Sequence, residues 1–496
     1  MPPCVRLRWE KQFPDCQFVG FCDGLTNISI RFRHAARSFF RGGRRPDRRR
    51  SNLMIKSLRN KAKALWVGAL GSSDGIRYHP SSYADPHGRI FFHQGRLYRG
   101  VSAAGVAPVV RLLDSGVIAE LVQQRLLVPT QRAMLKVEGY PLVLEHEMVR
   151  HVSYPYEWSS EMMRAAALHT LALLEALAKH GLTLKDAHGW NVVFEGCRPI
   201  FVDLGSIIEA TPGGPWRAER EFQEFLLHPL AMMGAGHDRI ARALLRDFEE
   251  GISLQLCASI VGLGIPQRPA EAEPFAWYRQ LISRYDFRSG VTQWSGYYKD
   301  AFPALTPDPA WTAKHHALQQ LLQQHRPCSV LDIGSNRGWY ALLAAAGGAR
   351  VVAFDNDAAC INELFADAVA RGLDVQPLVM SCLNPSPRLG LGDGVMESAS
   401  ERLTCELVLA LALVHHMVFK MYLNFEQIAA GLAAYAEKTL IVEFPPRDDV
   451  HVCQWITDGH AWYTVENFIA ALRRHFPRIS TVASDPAPRV LLVCER

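Results

Sequence analysis

The sequence predicts an α/β fold with a parallel sheet for residues 306–496, preceded by a region of mixed α+β structure. The 496 residues suffice for about three domains of ordinary size. After residue 306, apolar stretches of strand length alternate with amphipathic helical stretches, which is typical of a parallel sheet covered by helices. Before it, short strand pairs precede long helical segments without that alternation.

The composition limits the classes of protein to consider. Hydrophobic residues make up 49% and charged residues 21% of the chain, which is ordinary globular composition and excludes wholesale disorder or a coiled-coil rod. The longest clean apolar run, Leu407–Val414, is too short for a membrane span, so we expect none. The eleven cysteines form no paired motif, which favours a reducing cytoplasm and predicts neither a disulfide framework nor a zinc site.

The beginning of the chain differs from the remainder in charge. Residues 1–60 carry 14 Lys and Arg against 4 Asp and Glu, whereas the remainder carries 40 against 45. This predicts a basic, disordered arm over residues 1–53. The arm is a solvated tail, an upstream extension of a chain that starts at Met54, a tether to an anionic surface or nucleic acid, or a transit peptide. Because the remainder is mildly acidic, we expect no nucleic-acid substrate.

Local patterns predict the elements of residues 54–250 in order. The expected sequence is a strand pair, a helix, a second strand pair and a long helix, over residues 89–100, 107–126, 134–148 and 159–180. Ser159 is placed to begin the long helix, and Gly181 to end it. The following residues 251–305 are expected to form a helical linker or lid, with the aromatic segment Trp294–Tyr298 over a ligand or in a domain interface.

A glycine-containing loop follows the first apolar strand of the carboxyl-terminal part and precedes a helix. Its sequence, VLDIGSNRG, covers Val330–Gly338. A loop in this position of a parallel sheet is where nucleotide-like ligands bind. Gly334 permits a sharp turn because it adopts a positive φ without strain, and Gly338 lets the helix begin close to the strand. Asp355 ends the next strand, where a carboxylate can accept hydrogen bonds from ribose hydroxyls.

The spacing of this loop differs from that of a dinucleotide site, because Asn336 stands where a middle glycine is required. The pattern D-x-G-x-x-x-G resembles the first motif of class I methyltransferases, which have a Rossmann-like fold and bind S-adenosylmethionine. The resemblance implies that residues 306–496 form such a domain. It implies cofactor contacts from Asp332, Gly334, Ser335, Asn336, Gly338 and Asp355, and an adenine contact from Asn384.

Candidate catalytic residues follow the fourth and fifth predicted strands. His415 and His416 come after Val414, so we expect them at the carboxyl edge of the sheet beside the transferred methyl group. An imidazole there could act as general base on an acceptor hydroxyl, or it could simply pack and bond the backbone. Glu443 ends the next strand and is expected to orient a histidine or the substrate, or to pair with Arg447. The carboxylates of Asp332, Asp355 and Glu443 end different strands and lack the spacing of a divalent-ion site, so no metal is expected.

A second constellation lies in residues 54–250. Asp186 precedes Asn191 by five residues, and Asp203-Leu-Gly205 begins twelve residues further on. The spacing resembles the catalytic loop and D-F-G motif of protein kinases, in which one Asp accepts a hydroxyl proton while the Asn and second Asp hold Mg²⁺ with ATP. The sequence lacks a glycine-rich phosphate loop, and Arg99 is the nearest cation to the expected lysine. An active kinase, a pseudokinase and a structural module therefore all stay open.

Several segments together are similar to one bacterial group of two-part methyltransferases, that of the rhizobial nodulation methyltransferase. They include Ser153–Ser159, Asn384–Pro387, Leu409–His416 and Ile441–Phe444. The resemblance covers about residues 75–496 and implies S-adenosylmethionine-dependent methylation of a small molecule or glycan. Enzymes that join a kinase to a methyltransferase at O-antigen ends suggest, by analogy, phosphorylation followed by methyl capping. A non-catalytic scaffold is the remaining alternative.

Overall fold

The structure is a computed structural model that describes residues 75–82, 87–262, 265–287 and 304–496. The predicted basic arm, the alternative start at Met54 and the aromatic segment Trp294–Tyr298 lie outside these residues. All described residues belong to one unit of packing, Ser73–Arg496. Within that unit we call residues 75–287 the amino-terminal region and residues 304–496 the carboxyl-terminal domain.

The amino-terminal region begins with five strands and two helices. Their bounds are β1 (Arg77–Tyr78), β2 (Gly88–His93), β3 (Arg96–Val101), α1 (Ala103–Asp114), α2 (Val117–Gln123), β4 (Thr130–Arg132) and β5 (Leu142–His146). The strands form an antiparallel sheet in the order β1-β2-β3-β5-β4. The first predicted hairpin is confirmed, because β2 pairs with β3 across a turn in which Gln94 and Gly95 have positive φ. The second predicted hairpin is confirmed, because β4 pairs antiparallel with β5 and Val137 forms a bridge with Tyr140 across the turn. Its first strand is β4 and not the predicted segment that begins at Met134.

A long buried helix follows, as predicted. Ser159 caps it by accepting the Met162 amide at 3.4 Å, and Gly181 follows its end with a φ of 68°. Four short strands and several further helices follow this helix and complete the region. The elements are α3 (Ser160–Ala178), β6 (Leu182–Leu184), β7 (Val192–Glu195), β8 (Arg198–Phe201), β9 (Ile207–Glu209), α4 (Glu219–Phe222), α5 (His228–Gly234), α6 (Asp238–Leu244), α7 (Leu254–Val261) and α8 (Pro274–Ser283).

The carboxyl-terminal domain alternates strands and helices. Its elements are α9 (Ala313–His325), β10 (Ser329–Ile333), α10 (Trp339–Ala346), β11 (Arg350–Asp355), α11 (Ala358–Arg371), β12 (Val375–Val379), α12 (Ala399–Arg402), β13 (Cys405–Ala410), α13 (Val414–Phe419), α14 (Phe425–Ala433), β14 (Ala436–Phe444), α15 (Val465–Leu472), β15 (Arg478–Ala483) and β16 (Val490–Glu495). None of the described helices, here or in the amino-terminal region, is both long and apolar enough to cross a membrane.

The seven strands of this domain form one sheet in the order β12-β11-β10-β13-β14-β16-β15. Strands β10 to β14 are mutually parallel, which confirms the prediction, and they are almost completely buried because helices cover both faces. The strand order reverses between β10 and β13, so ligands are expected at the carboxyl edge there. The antiparallel strand β16, inserted between β14 and β15, was not predicted.

Candidate functional site

The predicted glycine loop lies at the point where the strand order reverses. Gly334 has a φ of 69°, and a Cβ there would come within 2.7 Å of the Leu413 side chain. Gly338 has a φ of 71°, and a Cβ there would come within 2.5 Å of the Leu364 side chain. Both positions therefore require glycine. The close approach at Gly338 is to helix α11, which carries Leu364, and not to the preceding strand as expected.

Asp355 is fixed against this loop by backbone amides. Its two oxygens accept the Asn336 amide at 2.8 Å and the Asp357 amide at 2.9 Å. Asn336 has a φ of 51°, and the buried Ser335 donates its amide to Phe354 O. Burial raises the pKa of Asp355 despite these bonds. A carboxylate has about four lone-pair directions, so Asp355 can still accept ribose hydroxyls.

Asp332 lies beneath the loop and is only 3% exposed. Burial, together with the neighbouring charge of Asp355, raises the pKa of Asp332 to about 7, while the Lys314 ammonium opposes the rise. Asn384 is exposed and forms a bridge with Ser381 in the turn after β12. The proposed adenine contact of Asn384 stays a prediction.

The two predicted histidines lie at the carboxyl edge, but in the first turn of α13 and not on the strand, which ends earlier at Ala410. Their ring centroids are 4.2 Å apart. The His415 ring stacks on Trp455 at 5.8 Å and lies 6.4 Å from His451. His451 and Trp455 were missed by the sequence analysis. The sequence signal that could have found them is their position after β14, because the carboxyl end of that strand reaches the same edge of the sheet.

Both predicted histidines are neutral at pH 7. Burial lowers the pKa of His415 to about 3 and that of His416 to about 4, and the nearby cation Arg489 acts in the same direction. Each imidazole is therefore a weak base, and its role as general base stays a prediction. His415 Nδ1 is buried and has no hydrogen-bond partner in the part of the chain that the structure describes. An acceptor hydroxyl is one group that could satisfy it.

The buried His415 predicts a loss of stability in mild acid. The unfolded chain, with a histidine pKa near 6.5, takes up this proton before the folded chain, so stability falls as the pH decreases below about 6.5. Between pH 7.5 and 5.5 we expect His415 to cost about 1 kcal/mol of unfolding free energy. Urea unfolding at both pH values should show a smaller pH dependence for His415→Gln than for the wild type. An equal dependence would contradict the neutral buried ring.

Glu443 is completely buried but lies against other partners than those expected. Its carboxylate accepts hydrogen bonds from Lys314 Nζ at 2.8 Å, the Ala412 amide at 2.9 Å and Ser484 Oγ at 2.6 Å. Arg447 instead donates to the carbonyl of His460. Glu443 therefore does not orient a histidine directly.

Its effect on the site is indirect. Ala412 has a φ of 52°, which is unfavourable for a non-glycine residue, and Glu443 holds its amide in this conformation. The turn at Ala412 leads from β13 into α13, which carries His415 and His416. Glu443 thus supports the backbone that positions the two imidazoles.

The kinase-like residues also come together. The Asp186 amide donates to Ser206 Oγ at 2.9 Å, and the Val202 amide donates to Asn191 O at 2.9 Å, which joins the two predicted loops. The buried Arg99 reaches from β3 to Asp203 Oδ1 at 2.9 Å, and the Gly205 amide donates to the same oxygen.

This arrangement departs from a metal-binding kinase site. A guanidinium on Asp203 competes with a divalent ion for that carboxylate. Asn191 Nδ2 is buried and lacks a hydrogen-bond partner among the described residues. Across residues 75–82, 87–262, 265–287 and 304–496, no group of three or more His, Cys, Asp or Glu could hold a metal ion.

The sheet order, the antiparallel strand β16 and the loop beside Asp355 define a Rossmann-like α/β domain, which is the fold that the resemblance to class I methyltransferases implies. The chain is similar to the nodulation protein NoeA of Rhizobium meliloti (strain 1021), with 27% identity in an alignment 461 residues long that covers 84% of this chain and 95% of that protein. The predicted resemblance to the rhizobial nodulation group is thereby confirmed. No protein-family model matches the chain.

Solved structures give weaker similarities. WbdD, a bifunctional kinase-methyltransferase, is 16% identical with a TM-score of 0.28, over 36% of this chain and 40% of its own. The magnesium protoporphyrin IX methyltransferase ChlM of Synechocystis PCC 6803 is 15% identical with a TM-score of 0.27, over 39% of this chain and 88% of its own. TM-scores this low carry no argument for the fold or the function of the chain.

Proposed function

We propose that this chain is an S-adenosylmethionine-dependent methyltransferase of the cytoplasm, acting on a small-molecule or glycan acceptor, and that its kinase-like region has an accessory, positioning role. One observation carries the proposal. Asp355 accepts the Asn336 amide at the carboxyl edge of the sheet, beside a loop in which Gly334 and Gly338 have the positive φ that its tight turn requires. A carboxylate at this strand end can accept hydrogen bonds from the ribose hydroxyls of the cofactor.

The residues present fit this cofactor. Asp355 would hold the ribose, and the loop Gly334–Gly338 would lie against the rest of the molecule. S-Adenosylmethionine supplies an electrophilic methyl group on a sulfonium. A buried carboxyl such as Asp332, with its pKa near 7, can become ionised when a cationic ligand arrives. The protein then mainly orients the acceptor and excludes water, with His415 and His416 as neutral hydrogen-bond acceptors at the rim.

Calorimetric titration of the full chain with S-adenosylmethionine tests the proposal directly. We expect S-adenosylmethionine to bind with a micromolar dissociation constant. S-Adenosylhomocysteine and sinefungin should each bind more tightly than adenosine. An acceptor screen would then follow, with release of S-adenosylhomocysteine as the signal. Full turnover of both His415→Ala and His416→Ala would remove the histidines from the reaction. Absence of any binding would contradict the proposal and favour a non-catalytic scaffold.

The second candidate is a bifunctional kinase-methyltransferase that phosphorylates a glycan end and then methylates it. The loops that join Asp186, Asn191 and Asp203 favour it, whereas the contact between Arg99 and Asp203 opposes it. We expect no tight binding of ATP with Mg²⁺. Mg²⁺-dependent ATP binding that Asp203→Ala abolishes would instead establish the bifunctional function.

Two partner assignments stay predictions. The basic composition of residues 1–53 is the reason to expect contact with an anionic surface. The mildly acidic remainder of the chain is the reason to expect no nucleic-acid substrate.

A further inference from the structure

We propose that the amino-terminal region builds the methyltransferase site by anchoring the connection between β12 and β13, and that the ion pair of Glu157 with Arg402 is the main anchor. The inference rests on the proposed function, because it concerns the cofactor pocket of that site. It gives the kinase-like region a defined task, positioning the segment next to Asp355, that does not depend on phosphoryl transfer.

The connection is long and has little regular structure of its own. It comprises the 25 residues between Val379 and Cys405, and its one α-helix is the four-residue α12. Connections longer than about 12–15 residues without their own secondary structure are uncommon in compact domains and are often functional. Such a segment needs contacts from elsewhere to keep one conformation.

Arg402, at the end of α12, supplies the strongest of these contacts. The side chains of Arg402 and Glu157 are 2% and 1% exposed. The guanidinium donates to the Glu157 carboxylate, to Val152 O and, through Nε at 3.0 Å, to Glu397 O. It also lies 4.0 Å from the centre of the Tyr154 ring. Every nitrogen of Arg402 is therefore bound, and two of its three polar partners belong to the amino-terminal region.

Tyr154 adds a second contact to the same segment. Its hydroxyl accepts the Glu397 amide at 3.1 Å, and its own amide donates to Glu157 at 2.8 Å. Glu157 thus holds Tyr154 and Arg402 with its two oxygens. The backbone around Glu397 is fixed from both sides, by the Tyr154 hydroxyl and by Arg402 Nε.

The other end of the segment reaches the cofactor side of the sheet. The Ala399 amide donates to Ser386 O at 2.9 Å, and the buried Ser386 donates its amide to Met380 Sδ at 3.5 Å. The Met380 amide in turn donates to Asp355 O at 2.9 Å. A continuous set of contacts therefore links the buried ion pair to Asp355. The enclosed turn carries Asn384, the predicted adenine contact.

A buried ion pair of this kind is suited to fixing geometry. Its net contribution to stability is small or negative when compared with apolar residues, because both charges lose their hydration. Removal of one partner leaves the other charge buried and forces the segment to move. The expected consequence is a misplaced cofactor pocket in addition to a less stable protein.

The test is calorimetric titration of the full chain with S-adenosylmethionine. We expect Glu157→Gln and Arg402→Met to weaken binding by about three- to thirtyfold, the range of couplings carried through packed networks. Arg402→Lys, which keeps the charge, should recover part of the loss. Tyr154→Phe removes only the hydroxyl that accepts the Glu397 amide, so it is expected to fold normally and to weaken binding by a smaller factor.

Cys197→Ala is the matched control. Cys197 Sγ donates to Val375 O at 3.0 Å and joins the same two parts of the chain, but at the first residue of β12, the opposite end from the cofactor side. We expect Cys197→Ala to lower the melting temperature without changing S-adenosylmethionine affinity. This comparison separates positioning from a general loosening of the interface.

The outcomes are distinguishable. If the wild type does not bind S-adenosylmethionine, the proposed function itself fails. If the wild type binds and the folded Glu157→Gln, Arg402→Met and Tyr154→Phe proteins bind equally well, the positioning role is wrong while the methyltransferase proposal stands. Equal weakening by Cys197→Ala, at a matched loss of melting temperature, would also overturn the positioning role.

Discussion

Asp355→Ala is expected to weaken S-adenosylmethionine binding by about a hundredfold. Hydrogen bonds to an ionised acceptor contribute about 1.5–3 kcal/mol each, and the ribose would lose its charged partner. The substitution also frees the Asn336 and Asp357 amides, which Asp355 holds at 2.8 and 2.9 Å, so the glycine loop loses an anchor. Isothermal titration of the wild type and the variant, with circular dichroism to verify folding, measures the effect.

Asp355→Asn is the matched control for this result. It keeps the side-chain shape and one acceptor oxygen, so we expect intermediate affinity. Unchanged affinity of a folded Asp355→Ala protein would show that the ribose does not contact this strand end. The proposed binding mode would then have to be abandoned.

Lys314→Met is expected to lower the free energy of unfolding by about 3–5 kcal/mol. The Glu443 carboxylate is completely buried, and Lys314 Nζ is its cationic hydrogen-bond partner at 2.8 Å. Removal of Lys314 takes away the cation that hydrogen-bonds this buried carboxylate and leaves the more distant Arg489 Nη1, at 3.9 Å, to compensate its charge, which is strongly destabilising. Urea unfolding at pH 7.5 measures the loss. Because Glu443 also holds the Ala412 amide ahead of α13, the histidine environment should change with it.

Two further variants test the origin of that loss. The double variant Lys314→Met/Glu443→Gln removes both charges and should recover part of the stability. Lys438→Met breaks the exposed pair with Glu406, also at 2.8 Å, and should cost much less stability than Lys314→Met, because solvent screens the exposed charges. A Lys314→Met protein no less stable than Lys438→Met would refute the buried-pair argument.

The parallel sheet and the glycine loop could be predicted because their determinants are local. Apolar strand-length runs alternating with helical patterns indicate parallel strands wherever the chain carries them. The positive φ expected at Gly334 follows from a tight turn between a strand and a helix, and the structure has it. The position of Asp355 follows in the same way, since parallel strands end at one edge.

Other features could not be predicted, because they depend on residues brought together from far apart. The glycine at position 338 is required by Leu364 of another helix. The strand β16 enters the sheet antiparallel beside β14, a pairing that no local pattern specifies. His451 and Trp455 meet His415 only because the loop after β14 folds over α13.

The sequence by itself determined the type of sheet, the loop at its reversal and the acid beside that loop, since these follow from hydrophobic periodicity and backbone sterics within short segments. The tertiary structure decided how those residues are charged and held. Burial makes His415 a weak base, Arg99 reaches Asp203, and Glu157 meets Arg402 across 245 positions of sequence. Such properties depend on desolvation and on distant charges, which exist only once the chain has folded.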